Sequence, residues 1–173
     1  KAIEWYRKAA EQGDADAQVT LGWHFYSNLE YNEAVVWTEK AVENSNSLAV
    51  NNMGEFMEQG YALPWSPKEA FRQYERAAKM GEIFAYFNLA KTHFFGKVPE
   101  SDYKEALKNI EIAARMVEEE EGDTSWEFDY LRNLIVSHNG IVSENTSKAI
   151  ELVKESIAQG DGRGMLFLGQ LYE

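Results

Sequence analysis

His24, His93 and His138 are the only imidazoles in a 173-residue chain that has no cysteine. A zinc site built on them would need a third ligand and groups that orient the rings, and no H-E-x-x-H or equivalent spacing supplies either. They read as packing residues. The run Glu118–Glu121, followed by Gly122 and Asp123, is the densest set of oxygen ligands. Calcium loops alternate their ligands around a sharp glycine turn, and this run does not. Four glutamates at a helix end also oppose the helix dipole, so the segment is expected to fray into a solvated insertion, with partner contact as its secondary use. No G-x-S-x-G, S-x-x-K set, glycine-rich phosphate loop or kinase motif set occurs, and nothing singles out a pair among the 29 carboxylates. Asn145-Thr146-Ser147 has the form of a glycosylation acceptor but reads better as a cap for the helix carrying Ala149. No catalytic residue, metal site or cofactor is expected, so the chemistry left to this chain is recognition.

The charge narrows what could be recognised. With 29 acidic and 17 basic residues the formal charge is −12. Such a surface repels phosphate backbones and anionic lipid, which argues against nucleic acid and membrane partners. It favours a basic protein partner, through steering more than affinity, and it also serves solubility alone. The chain is 45% hydrophobic, yet no apolar run approaches the roughly 20 residues that span a bilayer. No signal-peptide pattern is present, although a start at Lys1 leaves a removed leader open. The absence of cysteine fits the cytoplasm and an oxidising compartment alike.

The elements that must carry any recognition surface are clearest in residues Ser66 to Gly96. Ser66, Pro67 and Glu69 form a capping-box start, in which Ser66 accepts first-turn amides and Glu69 reaches back. Ala70, Tyr74, Ala77 and Ala78 then fall on one apolar stripe of mostly small residues. Gly81 supplies the left-handed stop, and a second helix carries Ala85, Leu89 and Ala90 before Phe94, Phe95 and Gly96. Such a pair cannot bury its own stripe and asks for copies of itself.

The copies are present on both sides. KAIEWYRKAAEQG repeats the first helix through Ala2, Tyr6, Ala9-Ala10 and Gly13, and Ala17, Leu21 and Gly22 repeat the second after a cap at Asp14 or Asp16. Ala34, Trp37-Thr38 and Ala41, then Ala49, Met53 and Gly54, give the next pair. Ala106, Ile110 and Ala113-Ala114 are followed by a weaker helix from Trp126 to His138, and Ala149, Val153 and Gly160 precede Leu168, Gly169 and Tyr172. Ala34 to Ala70 and Ala70 to Ala106 are each 36 residues; Ala106 to Ala149 is 43, through an insertion at 118–124. Periods of this size predict an all-α superhelical array of helix–turn–helix repeats, about ten helices in all, and not a bundle. The expected units are 1–13 (partial), 14–45, 46–81, 82–122, 123–160 and 161–173 (partial). Neither end has the polar cap a solenoid needs, so the chain is expected to be an excerpt of a longer array.

The pattern Ala-x-x-x-Leu-Gly-x-x-Tyr, a glycine loop, and Lys-Ala-x-x-Trp-Tyr-x-Lys-Ala-Ala-x-x-Gly resembles the Sel-one-like repeat, a relative of the tetratricopeptide repeat. KAIEWYRKAAEQG and LGWHFY carry it most closely, and the resemblance runs over essentially the whole chain. Ala90 and Ile135 stand where the repeat has glycine, and His93 and His138 where it has tyrosine. The resemblance implies a right-handed α/α superhelix that serves as a protein-interaction scaffold, commonly without catalysis and in a bacterial setting.

It also points to a surface. The residue before the inner-helix leucine slot is Thr20, Asn52, Asn88, Asn133 and Phe167 in successive copies. In related tetratricopeptide arrays an asparagine here faces the concave groove and pairs with a bound backbone, since an amide donates and accepts at once. The alternative is that it bonds a neighbouring helix and fixes the repeats. Trp23, Tyr26, Phe56, Lys91 and Arg132 fall nearby and are of types common at interface hot spots, with Trp65 and Trp126 behind them. The expected function is a non-catalytic scaffold gripping a protein or extended peptide. An immunity-type inhibitor of a basic toxin is a sharper version. A cell-wall or β-lactam hydrolase, suggested by cysteine-rich relatives, lacks both their cysteines and a nucleophile here. A purely architectural spacer is the remaining reading.

Overall fold

The computed structural model describes residues 2–121 and 126–138, with 154, 157 and 158 beyond them. Its helices are α1 (Ala2–Glu11), α2 (Ala15–Ser27), α3 (Tyr31–Glu43), α4 (Ser47–Gln59), α5 (Pro67–Lys79), α6 (Ile83–Phe94), α7 (Tyr103–Glu121) and α8 (Trp126–His138). The expected helices around Ala149 and Leu168, and the Asn145 cap, lie outside the described residues. No helix among the described residues is long and apolar enough to cross a membrane. The chain divides within α6 into two compact units, Lys1–Leu89 and Ala90–Glu173.

In the first unit each helix packs on its neighbours in sequence, α1 on α2, α2 on α3, α3 on α4 and α4 on α5. Small residues make the approach possible. Ala34 and Ala70 are buried, as is Ala49, and the Ala70 stripe joins Val50, Tyr74, Ala77, Ala78, Ala85 and Leu89 in one core cluster. Two glycines mark the tightest crossings. A Cβ on Gly22 would stand 2.7 Å from Thr38 Oγ1, and one on Gly54 would stand 2.5 Å from Tyr74 Cε1. At each crossing a side chain of the outer helix, Thr38 or Tyr74, therefore lies directly on glycine backbone of the inner one. In the second unit Ala90 and Ile110 hold the corresponding slots and both are fully buried, so the departure from glycine at Ala90 still ends in a filled core.

The turns are built locally. Gly81 has φ +87°, its N–H donates to the Ala78 carbonyl at 3.0 Å, and the Glu82 N–H donates to the Ala77 carbonyl at 3.0 Å. This paired bond pattern satisfies the last carbonyls of α5. The same pattern recurs after α2 with Leu29 at φ 63° and after α3 with Ser45 at φ 61°, without glycine. Asp14 caps α2 by accepting from the Ala17 N–H at 2.8 Å, and Asn46 caps α4 through Ala49 at 3.0 Å. Asp16 lies inside α2 and accepts instead from Asn46 Nδ2 at 3.0 Å.

Two expectations are corrected. The capping box at Ser66 is half formed: Ser66 Oγ accepts from the Glu69 N–H at 3.4 Å, but Glu69 Oε1 takes Arg72 at 2.6 Å and does not reach back. The Ser66 N–H is already engaged, donating to the Met57 carbonyl at 2.9 Å, so there is nothing for Glu69 to satisfy. The Glu118–Glu121 run is also helical rather than frayed, because α7 continues to Glu121. Glutamate is a good helix former, and Glu118, Glu119 and Glu120 are exposed, where water screens their repulsion from the dipole. α7 is 19 residues against 13 in α3 and α5, so much of the break in period is taken up as extra helix.

Candidate partner-binding face

The candidate residues divide between the two units. Trp23 and Tyr26 sit three apart on α2, on neighbouring points of one helical face, and both are exposed, at 67% and 39%. Tyr26 is the centre of an aromatic cluster. Its ring centroid lies 5.7 Å from Tyr31, 5.9 Å from Phe56 and 6.0 Å from Tyr61. Tyr31 and Tyr61 stack against each other at 4.4 Å with planes 4° apart. The α2–α3 turn and the segment after α4 are thus brought together by rings. Phe56 is only 5% exposed and packs with Ala34, Val35 and Met53. It floors the cluster and cannot itself present a ring to a partner, because its place on α4 turns it into the α3–α4 core.

The asparagines do three different things. Asn88 is buried, and its Nδ2 donates to Asn51 Oδ1 at 3.0 Å and to Glu55 Oε1 at 3.1 Å. Asn51 Nδ2 in turn donates to Glu55 Oε1 at 3.2 Å. Asn88 thus meets Asn51, the neighbour of the expected Asn52, and spends its amide protons between helices. Asn52 is half-buried on α4. Asn133 donates back to the Asp129 carbonyl within α8 at 2.7 Å, a local bond rather than a bridge.

In the second unit Lys91 is half-buried on α6 and Arg132 exposed on α8. His93, on α6, accepts from the Asp102 N–H through Nδ1 at 3.1 Å, which ties the α6–α7 connection down and fixes the ring nitrogen as the unprotonated one. Trp65, in the connection before α5, is 71% exposed.

The electrostatics of the α2–α4 side are one-signed. Residues 15–30 and 47–66, which form α2, α4 and the connections after them, contain Asp16, Glu30, Glu55 and Glu58 but no lysine or arginine. The basic side chains of the described first unit all belong to α1, α3 and α5. The Tyr26 phenol is accordingly held above its usual range, first by burial and then by the neighbouring Tyr61, Glu55 and Tyr31. Deeper in, Tyr74 donates through its hydroxyl to Glu58 Oε2 at 2.8 Å, and burial followed by the Glu58 charge pushes that phenol well up. The residues missed from sequence are Asn51, Glu55, Tyr31 and Tyr61. Asn51 and Glu55, four apart and so on one side of α4, were the available signal.

Comparison with known proteins adds the following. A Sel1 repeat family model matches residues 1–14, 15–46, 47–82, 83–116 and 136–161. A chitin synthase regulatory factor of Schizosaccharomyces pombe is 37% identical over 87 residues, 47% of this chain and 9% of that protein. An uncharacterised protein of Neisseria meningitidis serogroup B is 26% identical over 113 residues, 65% of this chain and 24% of that protein. The chain thus spans a quarter or less of the length of these curated relatives. The crystal structure of a Sel1 repeat protein from Oxalobacter formigenes superposes with a TM-score of 0.70 at 24% identity, over 89% of this chain and 63% of that one.

Proposed function

The chain belongs to the Sel1 repeat family, an all-α solenoid of helix–turn–helix repeats, and from that premise we propose that it is a non-catalytic scaffold whose inner helices α2 and α4 grip a partner protein or extended peptide. Sel1 repeats are in general protein-interaction modules. The observation that carries the proposal for this chain is Trp23. A tryptophan 67% exposed, one helical turn from an exposed tyrosine on a helix without lysine or arginine, leaves apolar area in water that a partner would cover. Asn52 lies on α4, and the Asn88 network ties α4 to α6.

The one-signed charge favours a basic partner, and with it the immunity-type reading in which an acidic face neutralises a basic effector. The test is capture on the immobilised full chain from an extract of cells that produce it, beside a Trp23→Ala variant with an unchanged melting curve. A protein held by the native chain and lost by the variant supports the reading. Equal retention by both, or retention by neither, overturns it.

A further inference from the structure

Glu55 is exposed and held by two side-chain amides, where Asp16 on α2 has one and Glu58 on α4 is buried. Its Oε1 accepts two amide protons, from Asn51 Nδ2 at 3.2 Å and Asn88 Nδ2 at 3.1 Å. Its Oε2 carries no hydrogen bond among the described residues, and the side chain as a whole is exposed. Two amides therefore hold one oxygen still and leave the other facing water. Holding a carboxylate in this way lowers its share of the side-chain entropy that an exposed ion pair must otherwise give up.

Beside it is an aromatic surface. Glu55 precedes Phe56, the floor of the Tyr26, Tyr31 and Tyr61 cluster, and the Glu55 charge acts on the Tyr26 phenol. That phenol is held up first by burial and then by Tyr61, Glu55 and Tyr31, with no cation among the charged neighbours that act on it. Ring faces beside a carboxylate held by two amides are complementary to a cation.

We propose that Glu55 and Tyr26, with Tyr31 and Tyr61 behind, form a docking point for an arginine side chain of the partner segment, its guanidinium paired with Glu55 Oε2 and its plane laid on the Tyr26 ring. The proposal rests on the scaffold reading and specifies the chemistry of what is gripped. Arginine suits the site better than lysine because its planar fork can bond a carboxylate and stack on a ring together, whereas an ammonium is a compact, strongly hydrated point charge. The charge argument is the distribution already described: no lysine or arginine in residues 15–30 or 47–66, so nothing on those helices competes for Glu55. In this arrangement Asn51 and Asn88 are positioning residues, acting on the partner through the carboxylate they hold.

The probe is the blocked tripeptide acetyl-Gly-Arg-Gly-amide, titrated into the full chain and followed by aromatic and backbone NMR, beside the same peptide with citrulline, which keeps the shape and loses the charge. The arginine peptide is expected to shift Tyr26, Tyr61 and Glu55 resonances saturably, at least about threefold more tightly than citrulline or lysine peptides. Glu55→Gln is expected to remove that preference and Tyr26→Phe to keep it. Tyr26→Leu is expected to weaken binding about threefold or more, in variants whose circular dichroism matches the native chain. Equal binding of the arginine and citrulline peptides, or shifts centred elsewhere, would overturn the proposal. So would an undiminished preference in folded Glu55→Gln. None of these outcomes touches the scaffold reading, which is decided by the Trp23→Ala capture.

Discussion

Asn88 Nδ2 reaches 3.0 Å from Asn51 Oδ1, across from α6 to α4, and the same nitrogen lies 3.1 Å from Glu55 Oε1. One buried amide thus couples two inner helices to an exposed carboxylate. Asn88→Ala leaves Asn51 Oδ1 without its donor inside the core and should cost about 1–3 kcal/mol. Asn52→Ala, one position from Asn51 but half-buried, should stay within about 0.5 kcal/mol. Urea denaturation of the two variants side by side checks both figures.

Gly54 lies under Tyr74, where a Cβ would come within 2.5 Å of the ring. The ring cannot step aside freely, since Tyr74 is fully buried and its hydroxyl is bonded to Glu58. Gly54→Ala should therefore destabilise by about 1–3 kcal/mol through overpacking, outweighing the roughly 1 kcal/mol that alanine gains over glycine in a helix. Thermal melts followed by circular dichroism would report this as a lowered midpoint.

Buried phenols set the alkaline limit. Tyr74 and Tyr130 both have raised folded values, Tyr130 to about 12, against an ordinary value of 10.0. Because the folded state holds these protons more tightly than the unfolded one, their contribution is complete below pH 10.0 and drains away as pH rises through the folded values. Stability should fall between about pH 10 and 12. Tyr74→Phe should flatten that fall while lowering stability near neutral pH by about 1–3 kcal/mol, through the lost Glu58 bond. Urea midpoints near neutral and at about pH 11, with tyrosinate absorbance, separate the two effects.

Leu29 is held at φ 63° and is 72% exposed, so it bears the steric cost of the left-handed region with little packing in return. Leu29→Gly should stabilise by roughly 0.3–1 kcal/mol, once the greater freedom of glycine in the unfolded chain is allowed for. A rise in melting temperature without change in the helical spectrum is the expected result.

What could be read from the chain and what could not follow from the same geometry. The period, the alanine stripe through Ala34, Ala70 and Ala106, the Asp14 cap and the Gly81 stop are local or repeated signals, and each copy reinforces the others. The candidate site depends instead on rotation about single helices. A shift of one residue turns a side chain by about 100°. That is the difference between Asn52 on the half-buried side and Asn51 facing Asn88, and between an exposed Glu55 and a buried Phe56. Aligning copies by their leucine slot fixes that angle only to the nearest residue, which is too coarse to tell a contact from a support. The stacking of Tyr31 on Tyr61 had no sequence signal, since it joins the first residue of α3 to the connection after α4.

The crossings at Gly22 and Gly54 look alike in outline but are cut to different teeth. The first accepts the hydroxyl of Thr38, which is turned back onto the Ala34 carbonyl at 2.8 Å, and the second accepts the flat of a phenol anchored at Glu58. Each inner helix is therefore keyed to its own outer helix. A copy moved to another place in the row would meet the wrong tooth, so the order of these repeats is written into the shape of their backs, while their solvent-facing sides remain free to change.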